Sequence, residues 1–363
     1  MVVHLTDDIS MPQKRFIKIL GDPKATAKAV NLIYVSDSQQ GFNRVRSGSN
    51  FKYLDNNKPL KNKTALERIR KLVIPPAWEN VWICSLENGH LQVTGLDAMH
   101  RKQYRYHPLW NQLRNQTKFY RMLAFGKSLP AIRKQVEKDL ALPGLPKNKV
   151  LAAVIALMER TSIRIGSDMY EKLYGSFGLT TFKDKHVDIN GSKVKFSFKG
   201  KKGVEHEIKI QSARLAKIVR QCRDIPGKEL FQYYDENDNK HTIDSGMVND
   251  YLKNIVEGEF TTKDFRTWAG TVQALVAFKE AGPAGTKTEA KKKVIEVLDK
   301  VSHHLGNTRS VCRKYYVHPS ILEMYEDNKL GNYLDKMNLP AETERRVDLA
   351  VEEKVLMKIL GTI

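Results

Sequence analysis

TTFKDKHVDINGSKVKFSFKGKKGVEHEIKI, residues 180–210, separates two kinds of structure in this 363-residue chain. Three β-rich runs, Thr180–Ile189, Val194–Phe198 and His206–Ile210, are divided by Asn190-Gly191 and by Gly200–Gly203. Short runs bounded by such turn residues predict a small three-stranded antiparallel sheet. On both sides the apolar residues recur at helical spacing. Val150, Leu151, Val154, Ile155 and Met158 precede it, and residues 212–222 and 246–256 return to helix after it. Phe265, Trp268, Val272, Leu275 and Val276 form one further stripe. Val294, Val297, Leu298, Val301 and Leu305 form another, ending at Gly306, a helix C-cap residue. Residues 281–287 read as an exposed connector, and Val347 to Leu360 as an amphipathic helix that packs.

Nearer the N-terminus the pattern is different. Leu32–Val35 and Phe51–Leu54 read as strands, with a turn at Asp55–Lys58. Thr64 can cap a short helix, Ala65–Leu72, that Pro75-Pro76 must end. Val81–Cys84 and His90–Thr94 flank Asn88-Gly89, a hairpin signal, and the segment around Tyr104 and Tyr106 reads as another strand. Pro108, Asn111, Asn115 and Gln116 mark a boundary near residue 115. The expected fold class is α+β. A small mixed α/β domain (residues 1–115) precedes a larger, mainly α-helical domain (116–363) that carries the three-stranded sheet.

The chain holds 61 Lys and Arg against 41 Asp and Glu, a formal charge of +20. Such a balance favours a polyanionic partner through counterion release. Three cysteines without a CxxC pair argue against a disulfide framework or a zinc–thiolate cluster and fit a reducing compartment. The N-terminus has early acids and no signal-like apolar run, and no stretch approaches a membrane span. The expected location is the cytoplasm. There is no GxxxxGK[ST] loop and no HExxH. His303-His304 point about 100° apart on a helix, which suits a single metal poorly.

Phosphoryl transfer without a metal needs a nucleophile, cations on the non-bridging oxygens and an acid for the leaving oxygen. Residues 305–319, LGNTRSVCRKYYVHP, set the pair Tyr315-Tyr316 among cations. Arg164 lies in an apolar segment, Thr161–Gly166, where it either meets an anion or forms a structural ion pair. Arg266 opens a helix behind Lys263-Asp264-Phe265, and its alternatives are an anion site, a pair with Asp264 or a solvated face. Lys199, Lys201 and Lys202 surround Gly200 at a hairpin tip, where a lysine can reach a groove or simply be solvated. On a strand, Gln103, Arg105 and His107 face one way and Tyr104 and Tyr106 the other. Gln can read a base edge and Tyr can contact phosphate or stack, or the tyrosines can line a core.

Together these motifs resemble the type IB DNA topoisomerases in their compact bacterial and poxvirus form. The resemblance runs from about residue 31 to residue 320. It is carried by IPPAW (Ile74–Trp78), VWIC (Val81–Cys84), RKQYRYHP (Arg101–Pro108), IRIG (Ile163–Gly166) and FKGKKG (Phe198–Gly203). ELFQY (Glu229–Tyr233), VNDYL (Val248–Leu252), KDFRTWAGT (Lys263–Thr271), LGNT and VCRKYYVHP complete it. Their joint order is far more specific than any one of them.

The resemblance implies a C-shaped clamp around duplex DNA and relaxation of supercoils through a 3′-phosphotyrosyl link. It implies a monomer that needs no cofactor, neither ATP nor a metal. Tyr316 matches the nucleophile, Arg164 and Arg266 the phosphate clamp, and Lys201 the acid for the leaving 5′ oxygen, with Lys202 beside it. Asn307 stands where poxvirus members and the related recombinases have histidine, and bacterial-type members share the Asn. Asn can donate to an oxygen without carrying charge. Gln103, Tyr104 and Tyr106 match DNA-contacting residues of the N-terminal domain, and Tyr170 one of the catalytic domain. A tyrosine recombinase shares the chemistry, and a non-catalytic DNA-binding module shares the charge; the RKQYRYHP block favours the topoisomerase.

Overall fold

The computed structural model describes residues 2–4, 10–12, 19, 22–98, 100, 102–258, 260–337 and 347–362. The chain divides into two compact units, Met1–Tyr120 and Arg121–Ile363. In the first, β1 (Val2–His4) and β2 (Ser10–Pro12) form an antiparallel pair, followed by helix α1 (Pro23–Lys28). A six-stranded antiparallel sheet then dominates, in the order β5-β4-β3-β6-β7-β8. Its strands are β3 (Gly41–Ser47), β4 (Asn50–Asp55), β5 (Lys58–Pro59), β6 (Glu79–Cys84), β7 (Leu91–Leu96) and β8 (Lys102–Tyr106). Asn56 and Asn57, both at positive φ, make the β4–β5 turn, a conformation that asparagine tolerates best after glycine. Helix α2 (Lys63–Lys71) closes one face, its Ile69 packing with Phe42, Val81, Ile83 and Val93. The Pro75-Pro76 loop is fastened by buried Arg44, whose guanidinium donates to the carbonyls of Ile74, Pro75 and Trp78 at 3.3, 3.0 and 2.6 Å.

Three local expectations change here. Leu32–Val35 is not a strand of the sheet. Only Ile33 bridges, to the segment around Gly89, and Val35 N–H is taken by the His90 ring. The cap of α2 is Asn62, which accepts from Ala65 N–H, and Thr64 lies inside the helix. The stretch 108–118, where the boundary near residue 115 is expected, lies inside helix α3 (Pro108–Leu140), which Pro108 opens at a position where its missing N–H costs nothing. Arg101, at the start of the RKQYRYHP motif, lies outside the described residues.

In the second unit, α4 (Lys147–Thr161) is buried along nine consecutive residues, Val150–Met158, and is its central helix. Around it lie α5 (Asp168–Tyr174), α6 (Ala213–Arg223), α7 (Ser245–Ile255), α8 (Thr262–Ala281), α9 (Lys287–Leu305), α10 (Arg309–Tyr315), α11 (Pro319–Glu326), α12 (Gly331–Leu334) and α13 (Val351–Thr362). The three-stranded antiparallel sheet is present, in the order β11-β10-β9, from β9 (Val187–Asn190), β10 (Lys193–Lys199) and β11 (Glu205–Gln211). Its first strand is shorter than expected: residues 179–186 contain two 3₁₀ turns instead. A two-stranded ribbon, β12 (Gln232–Tyr234) with β13 (Lys240–Thr242), completes the unit.

Helix α8 starts at a capping box, Thr261 with Asp264, and presents Phe265 and Trp268 edge-on to Phe125. The tail helix α13 locks onto it. Buried Glu353 accepts from Trp268 Nε1 at 2.9 Å and takes a two-pronged contact from Arg133 at 2.9 and 2.7 Å. No helix among the described residues is long and apolar enough to cross a membrane.

Candidate active site

The site is built where two helices end. Helix α4 terminates at Ser162, whose left-handed backbone (φ 54°) is unusual for a non-glycine residue. Helix α9 terminates at Gly306 (φ 57°), the usual glycine cap. Both caps turn a terminal carbonyl inward to one guanidinium. Arg266 donates from Nη1 to the Ser162 carbonyl and from Nη2 to the Leu305 carbonyl at 2.8 Å. The negative ends of two helices thus hold one arginine that is only 5% exposed. Its Nε–H is buried and has no hydrogen-bond partner among the described residues, so a donor is left for an acceptor from outside.

The residues just past the two caps come together. Arg164 donates from Nη2 to Asn307 Oδ1 at 2.6 Å. Because arginine has no acceptor, the Asn307 oxygen must face it. The Asn307 amide nitrogen then points away, with one of its two N–H groups on the Leu305 carbonyl at 3.2 Å. Burial, reinforced by the like charge of Arg266, pulls the Arg164 pKa down to about 10, and the nearby Tyr316 phenol offsets part of this. Two guanidiniums in one partly buried place, held by carbonyls and an amide, form a site for an anion.

Tyr316 follows α10 and has left helical geometry at its cap. The Arg266 guanidinium stands over its ring, 5.1 Å from the centroid. Its carbonyl accepts from Thr271 Oγ1 at 3.1 Å, one turn along α8 from Arg266. Gly270 permits this approach, since a Cβ there would lie 2.7 Å from the Tyr316 carbonyl. The neighbouring Tyr315 ring faces Lys314 instead, 5.5 Å from its ammonium. Of the pair, Tyr316 is therefore the one set beside both arginines.

Lys201 is placed differently. It opens a 3₁₀ turn, Lys201–Gly203, between β10 and β11, and is exposed. Its ammonium lies 5.3 Å from the ring centroid of Tyr170, which stands on α5. Lys202, the competing lysine, takes the left-handed conformation (φ 64°) that turns the chain back. In the first unit, Tyr104 and Tyr106 stack at 5.9 Å on one face of β8, and Tyr104 is 48% exposed. Gln103 donates to Asp97 at 2.8 Å, which leaves its carbonyl oxygen to present. The structure thus brings together Arg164, Arg266, Asn307 and Tyr316, sets Lys201 with Tyr170, and keeps Gln103, Tyr104 and Tyr106 on one strand.

Three contributors were not singled out from sequence. Ser162 supplies a carbonyl through a backbone conformation that its side chain does not announce. Thr271 positions Tyr316 from within the KDFRTWAGT motif. His206 packs between Gly200 and Gly306, since a Cβ on either glycine would collide with its ring. Signals existed for two of them: Thr271 closes a motif already marked, and His206 stands opposite Phe198 in the β10–β11 register, beside the glycine-rich turn. Among the described residues, no group of three or more His, Cys, Asp or Glu could hold a metal ion.

Comparison with known proteins agrees with this architecture in both units. The family model described as the eukaryotic DNA topoisomerase I catalytic core matches residues 107–340. The model of the bacterial DNA topoisomerase IB N-terminal domain matches residues 50–97. DNA topoisomerase 1B of Acanthamoeba polyphaga mimivirus is 32% identical over 299 residues, covering 80% of this chain and 88% of the viral protein. DNA topoisomerase 1B of Vaccinia virus (strain Copenhagen) is 26% identical over 260 residues, covering 71% of this chain and 78% of its own length.

Proposed function

The chain belongs to the type IB DNA topoisomerase family, an enzyme family that relaxes DNA, and from that premise we propose that it does so through a covalent bond between Tyr316 and a DNA 3′ phosphate. The Tyr316 phenolic oxygen attacks the phosphorus and loses its proton to solvent. The bond from phosphorus to the 5′ oxygen breaks, and Lys201 gives that oxygen a proton. Strand rotation about the intact strand releases supercoils. The 5′ hydroxyl then returns its proton to Lys201, attacks the phosphotyrosyl phosphorus and expels Tyr316, whose phenolate takes a proton back from solvent.

The single observation that carries this reading is the seat of Arg266. One N–H of each Nη goes to a carbonyl while the buried Nε–H has no acceptor among the described residues, and Tyr316 lies beneath the guanidinium. Such a donor costs free energy when alone and recovers it when a non-bridging phosphate oxygen arrives. Arg164 adds a second guanidinium and the Asn307 amide a neutral donor. Charge on the pentacoordinate transition state is met by arginine and lysine, so the reaction proceeds without metal. The phosphotyrosyl ester retains the energy of the broken linkage, so resealing needs no ATP. In this reading Gln103, Tyr104, Tyr106 and Tyr170 contact the duplex.

Supercoiled plasmid incubated with the protein in EDTA, without nucleotide, should give a ladder of topoisomers. Tyr316→Phe should bind DNA with nearly unchanged affinity, leave the plasmid supercoiled and form no covalent adduct on denaturant quenching. Relaxation retained by Tyr316→Phe, or lost on adding EDTA to the wild type, would sink the proposal.

A further inference from the structure

His206 is not used by the mechanism above, yet its ring is wedged between two of the turns that the mechanism needs. It stands on β11 opposite Phe198 and stacks on that ring, with centroids 5.0 Å apart and planes within 18°. A Cβ on Gly200 would lie 2.7 Å from its Cδ2 and Nε2, and a Cβ on Gly306 would lie 2.1 Å from its Cε1. Real Cβ contacts are not that close, so the imidazole touches backbone on both sides. Gly200 begins the turn that carries Lys201, and Gly306 precedes Asn307. The backbone at Gly200 (φ −89°, ψ −168°) is one that residues other than glycine adopt, so it is the ring that requires glycine there. The turn's own hydrogen bonds are local, Gly200 N–H to the Val204 carbonyl at 2.7 Å and Gly203 N–H to the Gly200 carbonyl at 3.1 Å. They fix its shape, and Phe177 N–H to the Lys199 carbonyl at 2.8 Å ties its base to the segment beside Arg164; on the Gly306–Asn307 side it is the His206 ring that lies between.

We propose that His206 is a positioning residue for Lys201: its flat ring is the spacer that sets the Lys201 turn against the Gly306–Asn307 turn. This rests on the assignment of Lys201 as the acid for the leaving 5′ oxygen. Burial, followed by the nearby charges of Arg164 and Arg266, lowers the His206 pKa, which favours the neutral ring and suits packing rather than charge. An acid displaced by about an ångström can cost on the order of 10²-fold in rate.

The test compares two DNA linkages in the full-length protein. Single-turnover cleavage is measured on an ordinary duplex and on one with sulfur replacing the bridging 5′ oxygen, because a thiolate departs without a proton. His206→Ala should slow cleavage of the ordinary linkage roughly 10- to 100-fold. The sulfur linkage should remove most of that loss, and noncovalent DNA binding should stay unchanged. Lys201→Ala should be rescued by sulfur in the same way. If Lys201→Ala is not rescued, the acid assignment itself fails and the inference with it. If Lys201→Ala is rescued while His206→Ala is equally slow on both linkages, the acid assignment stands and the spacer role is refuted. Gly200→Ala reads the same contact without removing the ring. Alone it should slow the ordinary linkage, and combined with His206→Ala it should add no further loss. Fully additive losses would refute the contact as the cause.

Discussion

Arg266 is 5% exposed and its guanidinium ends on carbonyls from the termini of two helices, whereas Lys201 stands exposed on a three-residue turn beside one tyrosine ring. Both are cations assigned to the same phosphate. The buried one is fixed before substrate arrives, so stabilising the transition state costs it no reorganisation. In the proposed reaction the exposed one gives a proton in cleavage and takes it back in religation, which requires contact with two states of the same oxygen. Rigid placement serves a charge that never changes, and a tethered turn serves one that does. Arginine suits the first because it does not deprotonate, and lysine the second because it can.

The comparison is broken most directly by removing what each residue contributes. Arg266→Ala should reduce single-turnover cleavage by roughly 10³-fold, since it removes a preorganised donor and a charge. It should also lower stability by about 1–3 kcal/mol, because the Ser162 and Leu305 carbonyls lose their partner. Lys201→Ala should reduce cleavage by roughly 10²-fold, within the range for a positioned acid. Its unfolding free energy should change by no more than about 0.5 kcal/mol, as expected for an exposed residue. Denaturant titration beside the rate measurement separates the two. A Lys201→Ala variant as unstable as Arg266→Ala would erase the distinction.

The depth of the fixed half is tested next. Trp268, two residues along α8 from Arg266, gives its indole N–H to Glu353, which also pairs with Arg133. Glu353→Gln leaves Arg133 with Glu159, at 2.6 Å, and removes one buried charge. The expected cost is about 2–3 kcal/mol by urea unfolding, somewhat less than for a buried pair broken outright. Relaxation of plasmid at 25 °C should persist, with cleavage slowed far less than by Arg266→Ala, because the Ser162 and Leu305 carbonyls still hold the guanidinium. A loss matching that of Arg266→Ala would mean that the seat of the arginine extends into α13.

Legibility from sequence divides along the same line. The Lys201 hairpin was readable because Gly200–Gly203 and Asn190-Gly191 punctuate strands of period two, and the glycine cap at Gly306 because it ends a helical stripe. The stretch 180–186 was misread because threonine and phenylalanine favour strands, while the segment is held in two 3₁₀ turns by local contacts such as Thr181 N–H to the Gly178 carbonyl at 2.9 Å. The seat of Arg266 was not readable at all. It depends on a serine in a left-handed conformation and on two carbonyls that lie 104 and 39 residues away in sequence. Backbone acceptors leave no compositional trace. Sequence therefore named Arg266 and its alternatives, and only the packed chain shows that carbonyls rather than Asp264 hold it; Asp264 is spent on the cap of its own helix.

His318, two residues beyond Tyr316, offers the smallest and most selective probe of the fixed half. Its buried ring has its pKa pushed down to about 4 by desolvation, and Nδ1 accepts from Ser320 N–H at 3.2 Å as the cap of α11. An unfolded histidine titrates near 6.5. Between these values the unfolded chain takes up a proton that the folded ring refuses, so this contribution to stability is complete above about pH 6.5 and falls as the pH drops towards 4. The slope approaches about 1.4 kcal/mol per pH unit, for a total of about 3 kcal/mol. His318→Asn keeps an N-cap acceptor and removes the titration. Urea unfolding from pH 7 to pH 4.5 should therefore lose less stability in the variant than in the wild type, by about 2 kcal/mol at the acid end. Cleavage at neutral pH should be nearly unchanged, because a neutral ring there contributes packing and a cap and no charge. Parallel pH curves for the two proteins would mean that water reaches the ring and that the segment delivering Tyr316 is as adjustable as the Lys201 turn.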